Sequence, residues 1–113
     1  MKKKLNVKDL VNKYTYRVSW SEDDSEFVAT CLEFPSLSAL AKSPEKALKE
    51  IRDVVAGSVE WMDEEKETLP EPISSHKYKG NLTLRTTPEK HKVLAVKAAE
   101  SGVSINQYIL SIV

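Results

Sequence analysis

Apolar and polar residues alternate along this chain with two different periods. Tyr14, Tyr16, Val18 and Trp20 interleave with Thr15, Arg17 and Ser19, a period of two that predicts a β-strand with one apolar face. Ser21-Glu22-Asp23-Asp24-Ser25 is a polar turn, and an apolar run resumes from Phe27 to Phe34, so the two segments read as a hairpin. Pro35 is expected to end the second strand, with Leu37 to Leu40 as a short third one. Ahead of the hairpin, Leu5, Leu10 and Val11 suggest a short helix from Lys4 to Lys13.

The period then changes. Ser43 suits an N-cap, and Pro44 suits the first helical position, where its missing N–H costs nothing. Ala47, Leu48, Ile51, Val54, Val55, Ser58, Val59 and Met62 recur at three- and four-residue steps, which predicts an amphipathic helix. Gly57 weakens that helix by about 1 kcal/mol relative to alanine, yet the stripe continues through it. The expectation is an α+β layer, a small antiparallel sheet with one packed helix. A fourth strand between Thr68 and Ile73 is an option that its prolines confine to an edge.

Thr68-Leu69-Pro70-Glu71-Pro72-Ile73-Ser74-Ser75 has no amphipathic period and reads as a linker. The boundaries expected are a first domain over 1–73, a linker over 74–79 and a second domain over 80–113. In the second, Leu82 and Leu84 point one way along a predicted strand, and Asn81, Thr83 and Arg85 the other. Thr87 and Pro88 open a helix with Leu94, Ala95 and Ala98 as its buried stripe; Gly102 stops it. Ser104 caps a final helix with Tyr108, Ile109 and Ile112 on its apolar face.

One strand and two short helices are not stable alone. The strand's backbone groups lack partners and its two leucines lack cover. The same strand from a second chain supplies both, as a two-stranded ribbon with its polar row exposed. A DNA major groove admits such a ribbon. Arginine can pair with guanine, asparagine with adenine, and a threonine methyl can touch thymine, so Asn81, Thr83 and Arg85 are candidate base readers. Ser104 and Asn106 head the final helix and Lys79 precedes the strand; these are candidate phosphate contacts, with Lys90, Lys92 and Lys97 as further non-specific attraction. An ordinary solvent-facing strand face is the alternative for the polar row.

Charge sharpens this division. The net charge is zero, but residues 1–75 carry 11 Lys/Arg against 15 Asp/Glu, a balance of −4. Residues 76–113 carry 6 against 2, a balance of +4. A basic end on an acidic body suits an end that meets a polyanion. A hydrophobic fraction of 41% with 30% charged residues is ordinary for a soluble folded protein. No apolar run approaches the roughly 20 residues of a membrane span. Met1-Lys2-Lys3-Lys4 is followed by polar residues rather than the apolar core of a secretory signal, so a cytoplasmic location is expected. Cys31 is the only cysteine, which excludes an internal disulfide and a multi-cysteine zinc site; a place in the core is expected for it.

Catalytic patterns are sparse. Metal-dependent nuclease chemistry needs several carboxylates around a metal ion. Asp23, Asp24, Glu26 and Glu33 lie on or beside the hairpin, and Glu50 and Asp53 on the water side of the helix, but nothing in their spacing signals convergence. His76 lies by the linker and His91 in the helix after Pro88. No phosphate loop, zinc motif or nucleophile elbow is present. No catalytic residue, cofactor or metal is expected.

The order strand, Thr-Pro cap, helix, glycine stop, serine cap, helix resembles the Arc/MetJ type of ribbon-helix-helix protein over Gly80 to Val113. It is most similar to the version that ends HicB antitoxins, in Leu82-Thr83-Leu84-Arg85, His91, Leu94-Ala95, Ala98 and Gly102-Val103-Ser104-Ile105-Asn106-Gln107-Tyr108. Tyr16 to Leu32 resembles the HicB hairpin with its acidic turn. Phe34-Pro35-Ser36-Leu37, Ser43-Pro44-Glu45-Lys46-Ala47-Leu48 and Leu69-Pro70-Glu71-Pro72 resemble that family's proline turn, helix start and domain exit. Ser36 stands where the family usually has glycine, and a second family glycine near Ala41 is missing. The last helix also ends early, at Val113, so a weaker dimer is expected.

The resemblance implies a partial RNase H-like first domain that covers the active site of a HicA toxin, a small mRNA-cleaving ribonuclease. Its acidity would suit a basic, RNA-binding partner, with Glu22, Asp23, Asp24 and Glu33 as candidate toxin contacts. The whole would be an antitoxin and autorepressor that binds double-stranded operator DNA. Its assembly would be a homodimer through the ribbon, with a tetramer as a further option. A stand-alone repressor whose first domain binds another protein or a small ligand, and a nuclease, are the alternatives.

Overall fold

The structure is a computed structural model and describes residues 5–113. Its contacts divide the chain into two units, Met1–Lys77 and Tyr78–Val113.

In the first unit, Asn6 accepts a hydrogen bond from the Asp9 N–H at 3.0 Å and caps α1 (Val7–Lys13). The expected start of that helix at Lys4 lies outside the described residues. Strand β1 (Tyr16–Ser21) pairs antiparallel with β2 (Glu26–Cys31), in the register Tyr16 to Cys31, Val18 to Ala29 and Trp20 to Phe27. The acidic turn closes this hairpin, helped by Ser25, whose φ of +50° takes the left-handed region. Tyr14 belongs to the end of α1 rather than to the strand, and its ring is buried against Phe34 in an edge-to-face contact at 5.2 Å.

Strand β3 (Phe34–Ala41) is longer than expected and begins earlier. Phe34 opens it instead of ending β2, and Pro35 sits inside it instead of terminating a strand. This is tolerable because the sheet order β1-β2-β3 makes β3 an edge, where a missing backbone N–H breaks no ladder. A register shift at Thr30/Cys31 accommodates the tight turn before Phe34.

Helix α2 (Pro44–Glu64) crosses the sheet. Ser43 accepts from the Lys46 N–H at 3.2 Å, and Pro44 takes the first turn. Ala47, Ile51, Val55 and Val59 are fully buried at successive four-residue steps, a single row on one helix face. They pack with Ala29, Cys31, Phe34, Ala41, Val11 and Tyr14 in one core. Burying each of Ile51, Val55 and Val59 contributes about 1.5–3 kcal/mol in transfer free energy. The stripe is narrower than the periodicity suggested, because Leu48 and Val54 are exposed.

The proline-rich segment is a strap, not a free linker, through most of its length. Leu69 packs on the core and Pro72 is buried. The Tyr14 hydroxyl donates to the Pro70 carbonyl at 2.8 Å, and the Ser74 hydroxyl to the Lys13 carbonyl at 2.5 Å. No fourth strand forms there among the described residues.

The second unit holds α3 (Pro88–Glu100) and α4 (Ile105–Ser111). Thr87 caps α3 by accepting from the Lys90 N–H at 3.2 Å. At its other end Val103 N–H donates to the Ala98 carbonyl and Gly102 N–H to that of Ala99, the paired closure of a Schellman motif. Gly102 has φ +70°, a conformation costly for any residue with a Cβ. Residues 81–86 form no strand with any other part of the described chain.

Candidate nucleic-acid interface

The second unit leaves its apolar residues largely in solvent. Leu82 is 95% exposed, Leu84 65% and Leu110 70%, whereas Ala98 alone is buried. Gly80 to Leu84 run beside Asn106, Ile109 and Leu110, and a shallow groove lies between them. Leu82 and Leu84 thus lie uncovered beside an open apolar groove.

The candidate base readers Asn81, Thr83 and Arg85 are all exposed and sit on this same segment. Alternation places their side chains away from the Leu82 and Leu84 row wherever the segment is extended. Of the candidate phosphate contacts, Lys79, Ser104 and Asn106 are exposed. Ser104 takes part in a full capping box. Its hydroxyl accepts from the Gln107 N–H at 3.1 Å, and its own N–H donates to Gln107 Oε1 at 3.0 Å. The N–H groups of Ile105 and Asn106 stand outside that box. The role of Gln107 is readable from the spacing Ser-x-x-Gln, the signature of a capping box.

Residues 62–113, which span the end of α2, the strap and the whole second unit, match the model of the HicB family. Over this stretch the chain is similar to that family. No curated protein and no solved structure matches the chain. That similarity is consistent with the antitoxin role of a toxin–antitoxin pair.

The acidic turn of the first unit is exposed at Glu22, Asp23 and Asp24. It is held in shape from within. Glu22 Oε2 accepts from the Trp20 indole N–H at 2.6 Å, and the Ser21 hydroxyl donates to Asp24 at 2.8 Å. Asp23 has no such tie among the described residues. Glu33 differs from these three. Its carboxylate, half-buried, accepts from the backbone N–H groups of Thr15 and Ile73, both at 2.9 Å, and from the Thr15 hydroxyl at 3.3 Å. It joins the start of β1 to the strap, which gives it a structural duty that sequence reasoning missed. No local signal announces it, since its partners lie 18 and 40 residues away.

Burial alone would raise the Glu33 carboxyl pKa, but the donated hydrogen bonds outweigh it and the net shift is downward. Burial is also the leading cause that lifts Tyr14 and Tyr16 to about 12, with Cys31 nearby adding to it. Cys31 is buried, and desolvation raises its thiol pKa.

The remaining carboxylates do not converge. Glu26 pairs with Lys42 at 3.1 Å and Asp53 with Lys49 at 3.0 Å. Among the described residues no three of His, Cys, Asp and Glu gather as a metal site. His76 contacts Glu71 at 2.9 Å, and His91 is exposed on α3. No helix of the described residues is long and apolar enough to cross a membrane.

Proposed function

We propose that this chain is the antitoxin of a type II HicA/HicB pair. In this reading, the first unit binds and neutralises a HicA-like mRNA-cleaving ribonuclease, and the second represses the shared operon. The match to the HicB family over residues 62–113 carries the reading. The uncovered Leu82 and Leu84 support its second half, because a second copy of the same segment would cover them. The two segments then form an antiparallel ribbon, with Asn81, Thr83 and Arg85 of both copies in a row that a major groove can take. Lys79, Ser104 and Asn106 reach phosphate.

The first unit acts by binding rather than catalysis, and its acidic turn at Glu22, Asp23 and Asp24 contacts the basic toxin. Its net −4 charge through residue 75 supports a partner built to hold RNA. Glu33 is left out of that contact, since its carboxylate is already engaged.

The test is co-expression with any small basic protein encoded beside this gene. The expected result is co-purification of the two, loss of the partner's mRNA cleavage in the complex, and binding of the complex to upstream DNA. DNA binding without any such partner would instead indicate a stand-alone repressor. Metal-dependent cleavage of nucleic acid, abolished by Asp23→Asn or Asp24→Asn, would indicate a nuclease.

A further inference from the structure

Past Leu69 the strap is fastened by side chains rather than by a backbone ladder. The Tyr14 hydroxyl donates to the Pro70 carbonyl at 2.8 Å, the Ile73 N–H to Glu33 Oε2 at 2.9 Å, and the Ser74 hydroxyl to the Lys13 carbonyl at 2.5 Å. These fastenings meet at one place. Lys13, Tyr14 and Thr15 are consecutive where α1 gives way to β1. Glu33 joins them, because Thr15 donates to the same carboxylate from its N–H and its hydroxyl. One clasp, made of Lys13 to Thr15 and Glu33, therefore holds Pro70 to Ser74.

The clasp and the core differ in kind. Helix α2 is anchored by Ala47, Ile51, Val55 and Val59, all fully buried. The strap buries Pro72, half-buries Leu69 and Pro70, and leaves Ile73 46% exposed. The bonds at Ile73 and Ser74 are exposed as well. None of the three fastenings belongs to a helix or a sheet, so breaking them leaves every ladder intact. A segment with little buried apolar surface and exposed hydrogen bonds opens at a lower free energy than the core. Pro70 and Pro72 set the opposite limit. They restrict the released chain, which gains less entropy on opening, and so they favour the closed strap.

We infer that residues 69–75 are a latch that opens as one piece while the sheet and α2 stay folded, with Glu33 as its keeper. Opening frees residues 69–77, the last of the first unit. At about 3.3–3.6 Å per residue, the chain that leads into the second unit then gains up to about 30 Å of reach. A partner that prefers one state of the strap shifts the balance by its difference in affinity. Binding beside Lys13 to Thr15 and the reach of the second unit are thereby linked.

Amide hydrogen exchange of the full chain, followed residue by residue over a series of low urea concentrations, tests the latch. The Ile73 amide reports the strap and the Val55 amide the core. Corrected for intrinsic rates, Ile73 should exchange at least about 100-fold faster than Val55. Its rate should change little with urea, because local opening exposes little surface, whereas that of Val55 should climb steeply. Tyr14→Phe and Ser74→Ala each remove a fastening that does not touch the Ile73 N–H. Each should still speed Ile73 exchange by about fivefold if the strap moves as one piece. Glu33→Gln, which weakens the keeper itself, should speed it by at least about tenfold. Equal protection and equal urea dependence at Ile73 and Val55 would mean that the strap leaves only with the core, and would overturn the inference. An Ile73 rate that any of the three substitutions leaves unmoved would overturn it too, since the fastenings would then open separately.

Discussion

Glu33 shows how one side chain can hold distant parts of a fold together. Its carboxylate takes hydrogen bonds from Thr15 and from Ile73, so it ties β1 and the strap to the turn before β3. Hydrogen bonds to a charged group contribute about 1.5–3 kcal/mol each when lost singly. Glu33→Gln keeps the shape but loses the charge, and should cost roughly 1–3 kcal/mol in urea unfolding. The folded-state pKa lies below the ordinary one. That stabilisation is therefore complete above the unfolded carboxyl value of about 4.3 and fades as pH falls through the folded value. Acid titration of stability should be shallower in Glu33→Gln than in the natural chain, and equal slopes would remove this role. At the same scale, Arg85→Ala should cost about 1–3 kcal/mol of operator preference over random DNA. Competition binding at fixed salt measures it, and an unchanged sequence preference would reject Arg85 as a base reader.

At the scale of elements, helix ends were the most legible features. Ser43, Thr87 and Ser104 each accept a backbone N–H as their positions before apolar runs predicted, because capping depends on residues within one turn. Gly102 was equally legible as a stop. Its φ of +70° with open space around the missing Cβ means that only backbone strain opposes a substitution. Gly102→Ala should lower stability by about 1–2 kcal/mol, measured by thermal unfolding of the second unit's helices. Strand limits were less legible. Pro35 reads locally as a stop, yet it lies within β3 because that strand is at a sheet edge. The buried row of α2 was half predicted: four-residue steps at Ala47, Ile51, Val55 and Val59 are buried, while Leu48 and Val54 look outward. Which side of an apolar stripe is covered depends on the width of the sheet beneath it.

For the whole molecule, the decisive quantity is how much apolar surface each unit buries by itself. Among the described residues, the first unit closes a core of ten buried residues, and the second buries Ala98 alone. Leu82→Asp is therefore expected to leave the first unit folded and to abolish association through the ribbon. Light scattering should show a lower mass and DNA binding should be lost, with the near-ultraviolet signal of the first unit's aromatic residues retained. A variant that keeps both its mass and its DNA binding would rule the ribbon out.

The sequence by itself determined the hairpin, the long helix, the caps and the stop at Gly102, since each follows from neighbours a few residues apart. Only the tertiary structure decided that Glu33 serves the fold and that the proline-rich segment is strapped down. These depend on which distant groups meet, and contacts across tens of residues leave no period in the chain from which to read them.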